Sequence, residues 1–255
     1  MSGAVLLQCD GALARVTLSH PGRFNAMSRA MWRALKAVFD DLQTRTDVRA
    51  VLVGGEGGHF CAGGDISEYP AFRFDEAGLR DFHENDVWGG LSAMLACDLP
   101  LFAQIEGNCM GAGVEIASCC DVRLAGQGAR FGAPIARLGF PMAPREAQLV
   151  AREVGLATAR EMLLEATVLD AAEMKQRGFL QAVWPDAEVA GQALLRAQQA
   201  TQLAPQAARL NKQTLRSLSA QPVPPELMAG AYEYANSAEH REGVGAFMAK
   251  RKPVF

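Results

Sequence analysis

The sequence lacks any apolar run near the roughly 18 residues that a membrane-spanning helix needs, so no segment calls for a bilayer. It also lacks an excess of positive charge: 25 Lys and Arg stand against 28 Asp and Glu, for a net charge of −3. That balance provides no general positive field to gather nucleic acid or anionic lipid. The opening MSGAVLLQCD has no basic n-region, apolar h-region or small-residue cleavage site. With six cysteines in so long a chain, this favours a reduced cytoplasmic protein whose thiols are mostly buried. Metal-ligand spacing is missing too. His59-x-Cys61 and the pair Cys119-Cys120 have no companion C-x-x-C or H-x-x-x-H, and adjacent cysteines do not easily chelate one tetrahedral ion. There is no G-x-S-x-G elbow, and neither glycine loop fits a dinucleotide or P-loop fingerprint.

What is present is globular. Hydrophobic residues make up 49% of the 255 positions and charged residues 21%, enough apolar material for one sizeable core and too much for intrinsic disorder. AVLLQC and ALARVTLS flank an Asp10-Gly11 turn and predict a hairpin. Ser28 is a fitting N-cap for a helix that places Met31, Leu35, Val38, Phe39 and Leu42 on one face. VRAVLVGG (Val48 to Gly55), LFAQI after Pro100, and DVRLAG are apolar strands without polar alternation, the pattern of buried parallel strands. Helical pattern lies between them and dominates after Arg145, with one short strand near QAVWP. The arrangement predicts an α/β layered architecture, with a core over 1–185 and a helical C-terminal region over 186–255.

Two glycine loops stand out, HFCAGGDI (His59 to Ile66) and GNCMGAGVEI (Gly107 to Ile116), each following a strand. Glycine there frees backbone N–H groups to approach a ligand. Two such loops on one sheet are able to aim two donors at one carbonyl oxygen, an oxyanion hole. Glu115, at the start of the helix after the second loop, is then placed to act as base or acid. Each feature also has an ordinary structural meaning, as turn chemistry or as a helix-start carboxylate.

In order, F-C-A-G-G-D-I, G-x-x-x-G-A-G-x-E, A-S-C-C-D-V-R-x-A and F-G-A-P, then DAAEMKQRGFLQAVWP and the terminal AFMAKRKPVF, resemble the crotonase family of enoyl-CoA hydratases and isomerases. The resemblance spans essentially the whole chain. It implies a spiral of ββα units with C-terminal helices that join chains into trimers or paired trimers. It also implies a coenzyme A thioester as substrate, an enolate intermediate, and no metal or redox cofactor, coenzyme A entering as part of the substrate. Residue by residue, it assigns the oxyanion amides to Ala62 and Ala112 and the acid/base to Glu115. It lays coenzyme A along Arg23, Phe24, Ala26, Ala62, Gly63, Gly64, Asp65, Ile66 and Gly111, with Phe247 and Lys250 near the adenine.

The sequence also departs from the family. Hydratases read F-G-x-P-E at their second glutamate, and here Phe131-Gly132-Ala133-Pro134 runs into Ile135, which neither gives nor takes a proton. GFPMAPRE (Gly139 to Glu146) likewise replaces the next family element. Three readings stay open: Glu115 acts alone; a residue from elsewhere substitutes, with His83, Glu84 and Glu146 as candidates; or the chain binds acyl-CoA without turnover. Isomerisation only, thioester hydrolysis and decarboxylation are the alternative enolate chemistries.

Overall fold

The structure is a computed structural model and describes residues 2–218 together with positions 238, 242, 246, 249–251, 253 and 254. In chain order its strands are β1 (Ala4–Asp10), β2 (Leu13–Ser19), β3 (Ala50–Gly55), β4 (Leu101–Ile105), β5 (Asn108–Met110), β6 (Val122–Gly126), β7 (Arg130–Gly132), β8 (Val168–Asp170) and β9 (Ala182–Trp184). Its helices are α1 (Arg29–Thr44), α2 (Glu76–Asp81), α3 (Trp88–Ala96), α4 (Ala112–Ser118), α5 (Pro144–Val154), α6 (Leu156–Leu164), α7 (Ala171–Gln176), α8 (Asp186–Ala200) and α9 (Pro205–Ser217). A 3₁₀ turn over Ile66–Ala71 and a π-helical turn over Phe82–Val87 complete the region before α3.

A six-stranded sheet runs β1-β2-β3-β4-β6-β9, antiparallel only at the β1–β2 hairpin and parallel elsewhere. Its apolar strands have no polar side because the sheet is covered on both faces. Val51 and Val53 of β3, with Leu101, Ala103 and Ile105 of β4, enter the main core beneath α1 and α4. The alternate residues Ala50, Leu52, Phe102 and Leu124 form a second cluster with Ala193 and Ala197 of α8. Period-two alternation thus feeds two apolar layers from one run of sequence. Ser28 caps α1 as expected, its side chain accepting from Met31 N–H at 3.2 Å. Met31, Trp32, Leu35, Phe39 and Leu42 are its buried face.

A second sheet, β5-β7-β8, was not anticipated from the sequence. Each of its strands is only three residues long, too short for a period-two pattern to stand out. It joins β5 to β7 in parallel, and so places the second glycine loop beside the F-G-A-P segment. Among the described residues no helix is long and apolar enough to cross a membrane. Cys9 is exposed and the other five cysteines are buried and free.

Candidate active site

Both glycine loops border one cavity of about 370 Å³, and Ala62, Gly63, Gly64, Ile66, Gly111, Ala112 and Glu115 line it. The first loop reaches it through a short parallel bridge between Met27 and Gly64. Met27 N–H donates to Gly63 O at 2.8 Å and Asp65 N–H donates to Met27 O at 2.9 Å. The Gly64 N–H therefore points to the opposite side, and no hydrogen bond occupies it among the described residues.

Ala62 behaves differently from the sequence expectation that its amide serves a ligand. Its N–H donates to Phe24 O at 3.0 Å, so it is already committed within the chain. Gly63, at φ +113°, turns the backbone between the two residues, which is why neighbouring amides of one loop are not interchangeable. Ala62 remains part of the cavity wall.

In the second loop Gly111 adopts φ 48° and ψ −110°, a conformation open essentially to glycine alone. Its own N–H is held by Gly132 O at 2.8 Å. The next residue, Ala112, begins α4, and the first N–H groups of a helix have no acceptor within it. Ala112 N–H is accordingly without a hydrogen-bond partner among the described residues. Two unspent amides from two loops thus border the same cavity.

Glu115 lies in the first turn of α4 and is buried. It lines the cavity, and loss of water pushes its pKa up to about 8, with a further contribution from the charge of Glu146. Ile135 also lines the cavity, and its side chain is apolar. The segment that follows starts α5 with Pro144 and places Glu146 in its first turn, where it is buried. There Glu146 Oε1 meets His83 Nδ1 at 3.1 Å. His83 lines the cavity from the π-helical turn. That turn is anchored by buried Asp86, which takes Arg29 Nε at 2.5 Å and Arg33 Nε at 2.6 Å. Of the three substitutes weighed from sequence, His83 and Glu146 come together; Glu84 instead pairs with Arg145 at 2.8 Å on the exposed side.

The remaining positions implied by the resemblance divide. Asp65 is the cap of the 3₁₀ turn, accepting from Ser67 N–H at 3.1 Å, and it holds Arg23 at 2.9 Å. Phe24 is exposed and packs edge-on to His59, while Ala26 is buried; these residues adjoin the first loop without lining the cavity. Lys250 is exposed in a turn, at φ +55°, and Phe247 lies outside the described residues. Sequence reasoning missed the far wall, made by Tyr69, Arg73, Phe82 and Phe140. Its only advance signal is the aromatic run EYPAFRF, which carries no periodicity.

The chain matches the family model for enoyl-CoA hydratase/isomerase over residues 8–255. It is 29% identical over 254 residues to a probable enoyl-CoA hydratase of Mycobacterium tuberculosis, covering 98% of this chain and 97% of that protein. It is 31% identical over 247 residues to the 2,3-dehydroadipyl-CoA hydratase of Escherichia coli, covering 94% and 93%. Among solved structures, an enoyl-CoA hydratase/carnithine racemase from Magnetospirillum magneticum superposes with a TM-score of 0.95 at 32% identity, covering 100% of this chain and 96% of that one. Pseudomonas aeruginosa AtuE gives 0.91 at 33% identity, covering 98% of each chain. With this architecture and these matches, the chain belongs to the enoyl-CoA hydratase/isomerase family and has the crotonase fold.

Proposed function

We propose that this enzyme adds water across the 2,3-double bond of an enoyl-CoA thioester, using Glu115 and a His83–Glu146 pair in place of two glutamates. That Gly64, Ala112, Glu115 and His83 line one cavity, with the Gly64 and Ala112 amides free of hydrogen-bond partners among the described residues, is the observation that supports this reading. In it, the thioester oxygen accepts from Gly64 N–H and Ala112 N–H, and each donor is worth about 3–4 kcal/mol to the developing oxyanion. The Glu146 carboxylate accepts from His83 Nδ1–H, which leaves Nε2 as the basic nitrogen. Nε2 takes a proton from water as the water oxygen bonds to C3. The π electrons move onto the thioester oxygen as an enolate, and Glu115, protonated because it is buried, delivers its proton to C2. Solvent then returns a proton to Glu115 and removes one from His83, so the net change is one water added. The pantetheine and nucleotide of the substrate would run past Gly63, Gly64 and Ile66 toward Arg23 and Phe24, with Lys250 near the adenine. Three or six copies would assemble through the C-terminal helices.

Two variants separate the roles. Loss of 2-enoyl thioester absorbance measures hydration, and deuterium uptake at C2 of a saturated acyl-CoA in D₂O measures enolate formation alone. Glu115→Gln lowers both by about 10²–10⁴-fold. His83→Ala lowers hydration by a similar factor and leaves C2 exchange within about threefold of wild type, because exchange requires only the oxyanion donors and Glu115. Hydration that survives His83→Ala would remove the pair from the mechanism. Turnover of 3-enoyl-CoA without hydration of 2-enoyl-CoA would make the enzyme an isomerase working through Glu115 alone.

A further inference from the structure

We propose that the acyl chain this enzyme accepts ends in a carboxylate, and that Arg73 is its receptor; the proposal rests on the acyl-CoA reading of the cavity. A plain hydrocarbon tail requires only apolar walls, and Trp32, Tyr69, Phe82 and Phe140 already provide them. Placing a guanidinium among them costs solvation unless an anion meets it. Arg73 lines this cavity nonetheless.

Its guanidinium carbon lies 3.6 Å from the ring centroid of Phe140 and 4.5 Å from that of Tyr69. Contact with ring faces is not a hydrogen bond to a carboxylate, so it leaves a guanidinium's N–H groups able to hold one in a two-pronged hydrogen bond. Other arginines of this region are already paired: Arg29 with Asp81 and Asp86, Arg145 with Glu84. No carboxylate pairs with Arg73 among the described residues. It does not neutralise Glu115 either, whose perturbation comes from burial and from Glu146. Partial burial holds the Arg73 guanidinium below its ordinary value, so an incoming anion would relieve a partly desolvated cation. A second guanidinium, Arg137, lines the same cavity; it donates to Ala166 O at 3.1 Å and has no carboxylate partner among the described residues.

Coenzyme A also carries anions, its phosphates, so the test must separate an acyl carboxylate from them. Calorimetric titration with three unreactive ligands does so: hexanoyl-CoA, the six-carbon acyl-CoA bearing a terminal carboxylate, and free coenzyme A. Wild type binds the ω-carboxylated ligand at least about tenfold more tightly than hexanoyl-CoA. In Arg73→Met that ratio falls to about one. Arg73→Lys keeps the charge and loses the planar fork and stack; it is the second variant should the first not fold, and the ratio falls in it too. Equal affinities in wild type, or an undiminished ratio in the variants, overturn the proposal. So does weakening of all three ligands in the same proportion, which would assign Arg73 to the phosphates. Failure of wild type to bind any of the three would overturn the acyl-CoA reading itself, a different result from equal binding.

Discussion

A carboxyl group deprived of water and set near a second carboxyl holds its proton, and Glu115 is in that situation with a pKa near 8. If the proton it carries is the one delivered to C2, kcat/KM falls about tenfold per pH unit above roughly pH 8, a limb read from a pH–rate profile. Glu146→Gln removes the charge of the neighbour, so the limb moves to lower pH while burial still keeps it above the ordinary carboxylate range. The same shift bears on stability. The folded-state pKa is raised, so the stability Glu115 permits is fully present below its unfolded value and is lost as pH rises toward 8. Glu115→Gln is therefore expected to stabilise the fold by about 4 kcal/mol at pH 8 and by about 1 kcal/mol at pH 5, measured by denaturant unfolding at both. A gain that does not grow with pH would mean that the folded protein leaves Glu115 in an ordinary environment.

The glycine loops are short elements whose backbone decides which amides are left without partners at the cavity. Gly111 bends the chain from β5 into α4 in a conformation closed to L side chains, and Ala112 begins the helix one residue later. Gly111→Ala is expected to destabilise the protein by about 1–3 kcal/mol. It should also lower kcat/KM through a misdirected Ala112 amide, while ordinary far-UV circular dichroism shows that the fold persists. The turn carrying His83 acts similarly. A π-helical turn contains one more residue per hydrogen-bonded ring than an α-helix and so redirects the side chains around it. Asp86, holding Arg29 and Arg33, fixes that turn against α1.

At the level of the whole chain, the sheet is clad on both faces, by α1 and α4 on one side and α8 on the other. α9 is different: none of its residues is buried, and Leu215 is 68% exposed. Leu203 and Leu218, flanking it, are also exposed. The polar side chains of α9 tie it to the rest of the chain, Lys212 to Asp121 and Arg216 to Asp98, and leave these leucines uncovered among the described residues. Light scattering coupled to gel filtration is expected to give three or six times the 27.3 kDa of one chain; a mass of one chain would leave α9 unexplained.

Much of this was legible from residue order alone. The hairpin, α1 with its Ser28 cap, the strands LFAQI and DVRLAG, and Glu115 at a helix start all follow from local rules: turn chemistry, capping and period. Those rules act over a few residues, and the chain states them directly. The rest depends on pairs far apart in sequence. His83 and Glu146 are 63 positions apart, Ala62 loses its amide to Phe24 across a turn, and Arg73 finds Phe140 only when two loops close on each other. No local pattern encodes such meetings, because the free energy that makes them comes from burying a shared core. Only once that core is packed does an unpaired arginine or a desolvated glutamate acquire its chemistry.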